Sequence, residues 1–250
     1  MAVQRFSSRS EVPFLHESQI EREADLLLQE FGAKFYEVTK PPVPVDEIVE
    51  LCLQLVLEYK DMKAIFPFAD VHGAIWFEQG TIGIEKSLDP HTNPNRLGRY
   101  HFTLAHEVGH WRLHRPYYLK NPAERLLFDD GSPRPDVVCR SSERKRPVEW
   151  QADAFAASLL MPKKLIYNAW SEFREGDERP IEIGEIHTKQ AGMELFHRGR
   201  LASTDEEKDI AAKESYCRPL ADLFEVSREA MRIRLETLKL LVRQRAATLF

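Results

Sequence analysis

The chain has 250 residues, 43% of them hydrophobic and 30% charged, with a net charge of −5. That length suits one large domain, or a catalytic domain with a small appendage, and its core needs no covalent staples. The mild acidity excludes a chain built wholly to coat nucleic acid, and three scattered cysteines (Cys52, Cys139, Cys217) exclude a disulfide framework and a CxxC metal site. The first residues show no apolar signal-peptide core, and no apolar run is long enough to span a bilayer, so a cytoplasmic protein without a membrane partner is expected.

In chain order, Ile20, Ala24, Leu27, Leu28 and Phe31 recur at helical spacing before Gly32, predicting a helix over 17–31 closed by a glycine cap. Prolines at 41, 42 and 44 give an extended lead-in to a short helix starting at Asp46. Residues 55–85 read as β, with "GAIWFEQGTIGIE" alternating about a Gln79–Gly80 turn as a hairpin does. Asn93 as N-cap and Pro94 in the first helical position open a helix that runs to His114 and stops before Pro116. Residues 116–147 hold five prolines and the basic run "RSSERKR", and read as a long irregular insert with a short helix in "PAERLLF". Helix resumes in "VEWQADAFAASLLMP" until Pro162 breaks it. Residues 171–214 form a polar, variable connection with one helix near 205–215, and residues 215–250 read as a helical tail. The expected class is α+β, mostly helical with a small β-sheet, with residues 1–170 as the first domain.

Four of the nine histidines fall in "HFTLAHEVGHWRLH", residues 101–114. His106-Glu107-Val108-Gly109-His110 is an HExxH motif. On a helix, residues four apart share one face, about 5–6 Å apart at Cβ, so His106 and His110 can converge on one ion. Glu107 leans from the same helix as the candidate catalytic base for a metal-bound water. A third protein ligand is needed. His114 is near in sequence, but on a straight helix it lies about 12 Å along the axis from His106, and no glycine turn breaks the helix after His110. Glu149 is preferred. It forms an ExxxD pair with Asp153, similar to the partner of HExxH in thermolysin-like zincins, where the aspartate orients a ligand histidine. Ala152 and Ala156 on the same face let the two helices approach closely. His101 lies about 140° around the helix from His106 and points elsewhere. Arg96 and Arg99 read as structural or carboxylate-binding. Two histidines and one carboxylate suit Zn2+, and also Mn2+ or another divalent ion.

"RLGRYHFTLAHEVGHWRLH" followed by "EWQADAFAASLLMP" resembles the ImmA/IrrE family of metallopeptidases. The likeness extends to the proline-rich stretch at 41–45, to the hairpin before the motif, and to "LADLFEVSREAMRIRLETL", similar to that family's helix-turn-helix-like tail. It implies a minimal zincin-like fold, with His106, His110 and Glu149 as metal ligands, Glu107 as base and Asp153 behind a ligand. It also implies a metal-dependent endopeptidase whose substrate is a protein, typically a helix-turn-helix transcriptional repressor. The 38 residues between His110 and Glu149 are long for the family, which makes the insert a candidate lid or selectivity element. The hairpin at 73–85 is a candidate edge for an extended substrate segment. Tyr117, Tyr118, His101, His187 and His197 are candidates for stabilising the oxyanion, and Cys139 is a candidate to block the metal's open position.

The tail leaves a second reading open. Ala221, Phe224, Val226, Ala230, Ile233, Leu235 and Leu238 fit a compact core, and Ser227 suits an N-cap. Residues 228–245 carry six basic side chains against Glu229 and Glu236, so direct DNA binding is conceivable. From 201 onwards, however, nine basic residues balance nine acidic ones, which favours protein packing or substrate docking. The alternative function is a DNA-binding regulator, or a toxin–antitoxin or phage component, with a structural metal site and no proteolysis.

Overall fold

Helix α1 (Glu17–Lys34) buries Ile20, Ala24, Leu27 and Phe31 completely, an i, i+4, i+7, i+11 stripe set by the 3.6-residue period. Burial of Ile20, Leu27 and Phe31 contributes about 1.5–3 kcal/mol each of hydrophobic stabilisation. Gly32 does not close the helix, contrary to expectation. Ala33 and Lys34 continue it, and the Phe35 N–H bonds back to the Phe31 carbonyl at 2.9 Å. The computed structural model describes residues 12–66, 70–119, 137–140, 147–197 and 199–243, with the backbone alone for 137–140. The helix expected in "PAERLLF", the basic run after Arg140, and Arg245 lie outside these residues.

The chain forms two units: Met1–Glu37 with Pro44–Leu159, and Val38–Val43 with Leu160–Phe250. In the first, α2 (Val45–Glu47) follows Pro44 and runs into one π-helical turn, Ile48–Cys52. A four-stranded sheet has the order β1-β3-β2-β4, with β1 (Val56–Lys60), β2 (Val71–Trp76), β3 (Thr81–Glu85) and β4 (Val137–Arg140). The predicted hairpin is β2–β3, antiparallel with Ile75 opposite Ile82. Two features depart from expectation. A short helix, α3 (Met62–Ile65), interrupts the β region because the Asp61 side chain caps it, accepting from the Ala64 N–H at 2.9 Å. The insert also returns as β4, antiparallel to β2 with Cys139 opposite Gly73. The hairpin therefore offers no edge: β2 is covered by β4, and β3 by β1 in parallel.

A 3-10 turn at Pro94–Arg96 leads into α4 (Leu97–Leu113), and α5 (Arg115–Tyr118) follows. Arg112 on α4 makes a two-pronged bond to Glu30 on α1, both contacts 2.9 Å. Helix α6 (Pro147–Leu160) completes this unit, burying Ala152, Phe155, Ala156 and Leu159.

In the second unit, Pro162 separates α6 from α7 (Lys163–Phe173). The polar stretch that follows holds the expected helix as α9 (Asp205–Tyr216) and, beyond expectation, α8 (Ile183–Lys189) and the small hairpin β6–β7 (Phe196–His197, Arg200–Leu201). Thr204 and Glu207 form a capping box on α9. The tail is α10 (Arg218–Leu223) and α11 (Arg228–Thr237), and β5 (Ile181–Glu182) pairs in parallel with β8 (Leu241–Val242). Ser227 caps α11, accepting from Ala230 N–H at 3.0 Å. Ile233 is 48% exposed rather than in the core, and Met231, fully buried, takes that place. Among the described residues, no helix is long and apolar enough to cross a membrane.

Cys217 is buried between α9 and α11. Burial, and then the nearby Glu214 charge, push its thiol up to about 12, so it stays protonated at neutral pH. In the folded protein it is expected to resist a thiol reagent at pH 8 and to react fully in denaturant. Rapid labelling of Cys217 in the native chain, read by peptide mass, would contradict this packing.

Candidate metal centre

Two glycines let backbone approach α4 where side chains could not. A Cβ on Gly109 would lie 3.1 Å from the Cα and carbonyl oxygen of Ala152, so α4 and α6 touch nearly backbone to backbone. A Cβ on Gly73 of β2 would lie 2.5 Å from Glu107 Oε1 and 2.8 Å from Thr103 Cγ2. These contacts bring α4, α6 and the sheet together around His106, Glu107, His110 and Glu149, all at most 5% exposed.

His106 Nε2 and His110 Nε2 are 3.0 Å apart. Glu149 Oε2 lies 3.3 Å from the first nitrogen, and Oε1 lies 3.7 Å from the second. Among the described residues, these three form the group able to hold a metal, with ligand atoms within 4.8 Å of one another. Asp153 Oδ1 is 2.9 Å from His106 Nδ1. A carboxylate there accepts the Nδ1–H and leaves Nε2 with a bare lone pair towards the cluster. Both oxygens of Glu107 are buried and have no hydrogen-bond partner among the described residues. An orphaned carboxyl beside converging imidazole nitrogens and a carboxylate is the arrangement a divalent ion and its water resolve, so the donor set fits a metal.

Electrostatics follow from burial. Desolvation pushes the Glu107 carboxyl up to about 8; His106 opposes the shift and the Glu149 charge adds to it. Burial, then His106 and His114, hold His110 well below the usual imidazole range. Burial also lowers His114 to about 4. A neutral imidazole is the form that ligates.

His114 stands behind His110, its Nδ1 2.8 Å from His110 Nδ1. His101 faces Asp46, Nε2 to Oδ2 3.8 Å. Arg96 bonds Ser87, and Arg99 contacts His72. Tyr118 packs on Phe77, with ring centroids 5.4 Å apart. His187 pairs with Asp209 in the second unit, which also contains His197. The Cys139 backbone pairs with β2, and its thiol lies outside the described side chains. Gly73 was not singled out in the sequence, although a glycine inside a strand is itself a sign of close backbone approach.

No curated protein matches the chain significantly. Residues 91–236 match the peptidase family described as the IrrE N-terminal-like domain. That span, more than half of the 250 residues, begins just before α4 and takes in the histidine pair, Glu107, Glu149 and Asp153. The chain belongs to this IrrE N-terminal-like peptidase family.

Proposed function

We propose that the chain is a metal-dependent endopeptidase that cuts a peptide bond in one specific protein, a helix-turn-helix transcriptional repressor. The observation that carries this reading is the buried Glu107 carboxyl, without a hydrogen-bond partner among the described residues, beside the His106, His110 and Glu149 donor set. His106, His110 and Glu149 would hold the ion, zinc by preference, and Asp153 would orient His106. When bound, a divalent ion there polarises the scissile carbonyl and acidifies a water. Glu107 accepts the proton of that water and returns it to the leaving amide nitrogen.

Among the described residues the outer strands of the sheet are β1 and β4, so an extended substrate segment would add there, β2 and β3 being paired on both sides. β4 is the edge next to β2, the strand that touches Glu107. For the tail, substrate docking is the better-supported role. Arg232 is tied to Glu214 and Glu236 at 3.2 and 2.8 Å, and Arg234 is buried and bonded to the Met161 carbonyl at 3.0 Å. Both are withdrawn from any surface that could meet phosphates.

The test is incubation with the repressor encoded beside the gene. Cleavage should require a divalent metal, stop on chelation and resume on metal addition. A repressor left intact by the metal-bound protein removes this substrate from the reading. Gly73→Ala should lower cleavage by about 10²-fold, because the new methyl displaces Glu107 from its site. Overpacking there should cost about 1–3 kcal/mol of stability. Wild-type cleavage rates in a folded Gly73→Ala protein would show that Glu107 needs no such close approach.

A further inference from the structure

A chain of buried polar groups leads away from the cluster on the far side of His110. His110 Nδ1 is 2.8 Å from His114 Nδ1, and His114 Nε2 is 3.2 Å from Gln151 Oε1. Gln151 Nε2 is 3.1 Å from the carbonyl oxygen of Pro13. The side chains of His110, His114 and Gln151 are fully buried.

The direction of every bond in this chain follows from its last member. A backbone carbonyl only accepts, so Gln151 turns its NH₂ to Pro13 and its oxygen to His114. That oxygen also only accepts, so His114 carries its proton on Nε2. His114 Nδ1 is then a bare lone pair, and the facing Nδ1 of His110 must supply the proton between them. His110 is left with a bare Nε2, the nitrogen that faces His106 and Glu149.

We propose that His114 and Gln151 are positioning residues that fix the tautomer and ring orientation of His110 for the metal, with the Pro13 carbonyl setting the direction of the relay. The proposal rests on the reading of His106, His110 and Glu149 as metal ligands. It also gives the two histidines different supports. His106 leans on the carboxylate of Asp153, whose side chain is 32% exposed. His110 leans on neutral groups in a fully buried setting. A second carboxylate at that depth would carry a desolvation cost of several kcal/mol. The neutral relay supplies orientation without that charge. Its far end is held in place: Phe14 stacks on Trp150, rings 5.6 Å apart and within 8° of parallel, so the segment that supplies Pro13 lies on the helix that supplies Glu149.

Two substitutions at one position separate positioning from packing. His114→Phe keeps the ring and removes both nitrogens. His114→Asn places a carbonyl oxygen near the position of Nδ1 and restores an acceptor for His110. Zinc dissociation constants by chelator competition are expected to rise about 10–100-fold in His114→Phe and to return most of the way in His114→Asn. Nitrogen-15 NMR of the zinc-bound wild type should show His110 protonated on Nδ1 and His114 on Nε2. Zinc binding by folded His114→Phe within about twofold of wild type overturns the relay, as does His114 protonated on Nδ1. If His114→Phe does not fold, the wild-type tautomers decide alone. A wild-type chain that binds no divalent ion overturns the metal reading itself, whereas binding that His114→Phe leaves untouched overturns only the relay.

Discussion

Glu107→Gln is expected to lower substrate cleavage by about 10³-fold while metal content stays at that of the wild type. The amide preserves volume and removes the proton acceptor. Because Glu107 has no hydrogen-bond partner among the described residues, the substitution breaks no bond that holds any of them in place. Single-turnover cleavage rates and metal analysis of the same preparation test both halves. Cleavage that persists near the wild-type rate would remove Glu107 as the base. A second signature needs no substrate. The unfolded chain releases this proton near the ordinary 4.5, whereas the folded, metal-free chain holds it up to about 8. Between those values the folded state binds more protons, so metal-free stability should fall as pH rises through that window. Denaturant midpoints of Glu107→Gln should lack that component of the slope.

Glu149→Ala is expected to weaken metal binding by more than the roughly 10–100-fold that an outer partner such as Asp153 contributes. It removes one of three convergent donors from a site at most 5% exposed, and water can replace it only by entering a packed interior. Asp153→Asn, which spares the ligands, should show the smaller effect. Chelator competition on both variants gives the order. Full metal occupancy in Glu149→Ala would mean that another residue is the third ligand. His114 is poorly placed for that role, because both its nitrogens are already directed to His110 and Gln151.

The histidine pair and ExxxD were legible because each is local: helical spacing alone puts His106 beside His110, and Glu149 beside Asp153. Ala152 was legible as a small residue between helices, and the structure shows why, with Gly109 against its backbone. Gly73 was not legible in the same way. Its partner Glu107 lies 34 residues on, and only the folded sheet makes them neighbours. β4 was hidden for another reason. "VVCR" is four residues long and stands among prolines and charges, so its composition reads as loop, and pairing with β2 makes it a strand. Ile233 stands about 200° around α11 from Met231, and the face that packs inward is that of Met231, Arg234 and Leu235, which leaves Ile233 on the opposite, exposed side. The His114 relay needed a residue from the N-terminal segment, 138 positions from Gln151, which no periodicity reports.

The Phe14–Trp150 stack gives the chain an optical handle of its own. Trp150 is 38% exposed and sits between Glu149 and Gln151 in sequence. Its indole emission depends on whether water or a phenyl ring covers its face. Lifting Pro13 and Phe14 away would shift that emission to the red while the three other tryptophans, Trp76, Trp111 and Trp170, kept their own environments. The difference spectrum between wild type and Trp150→Phe would therefore report, in real time and without a label, whether the N-terminal segment is seated beside the candidate metal centre.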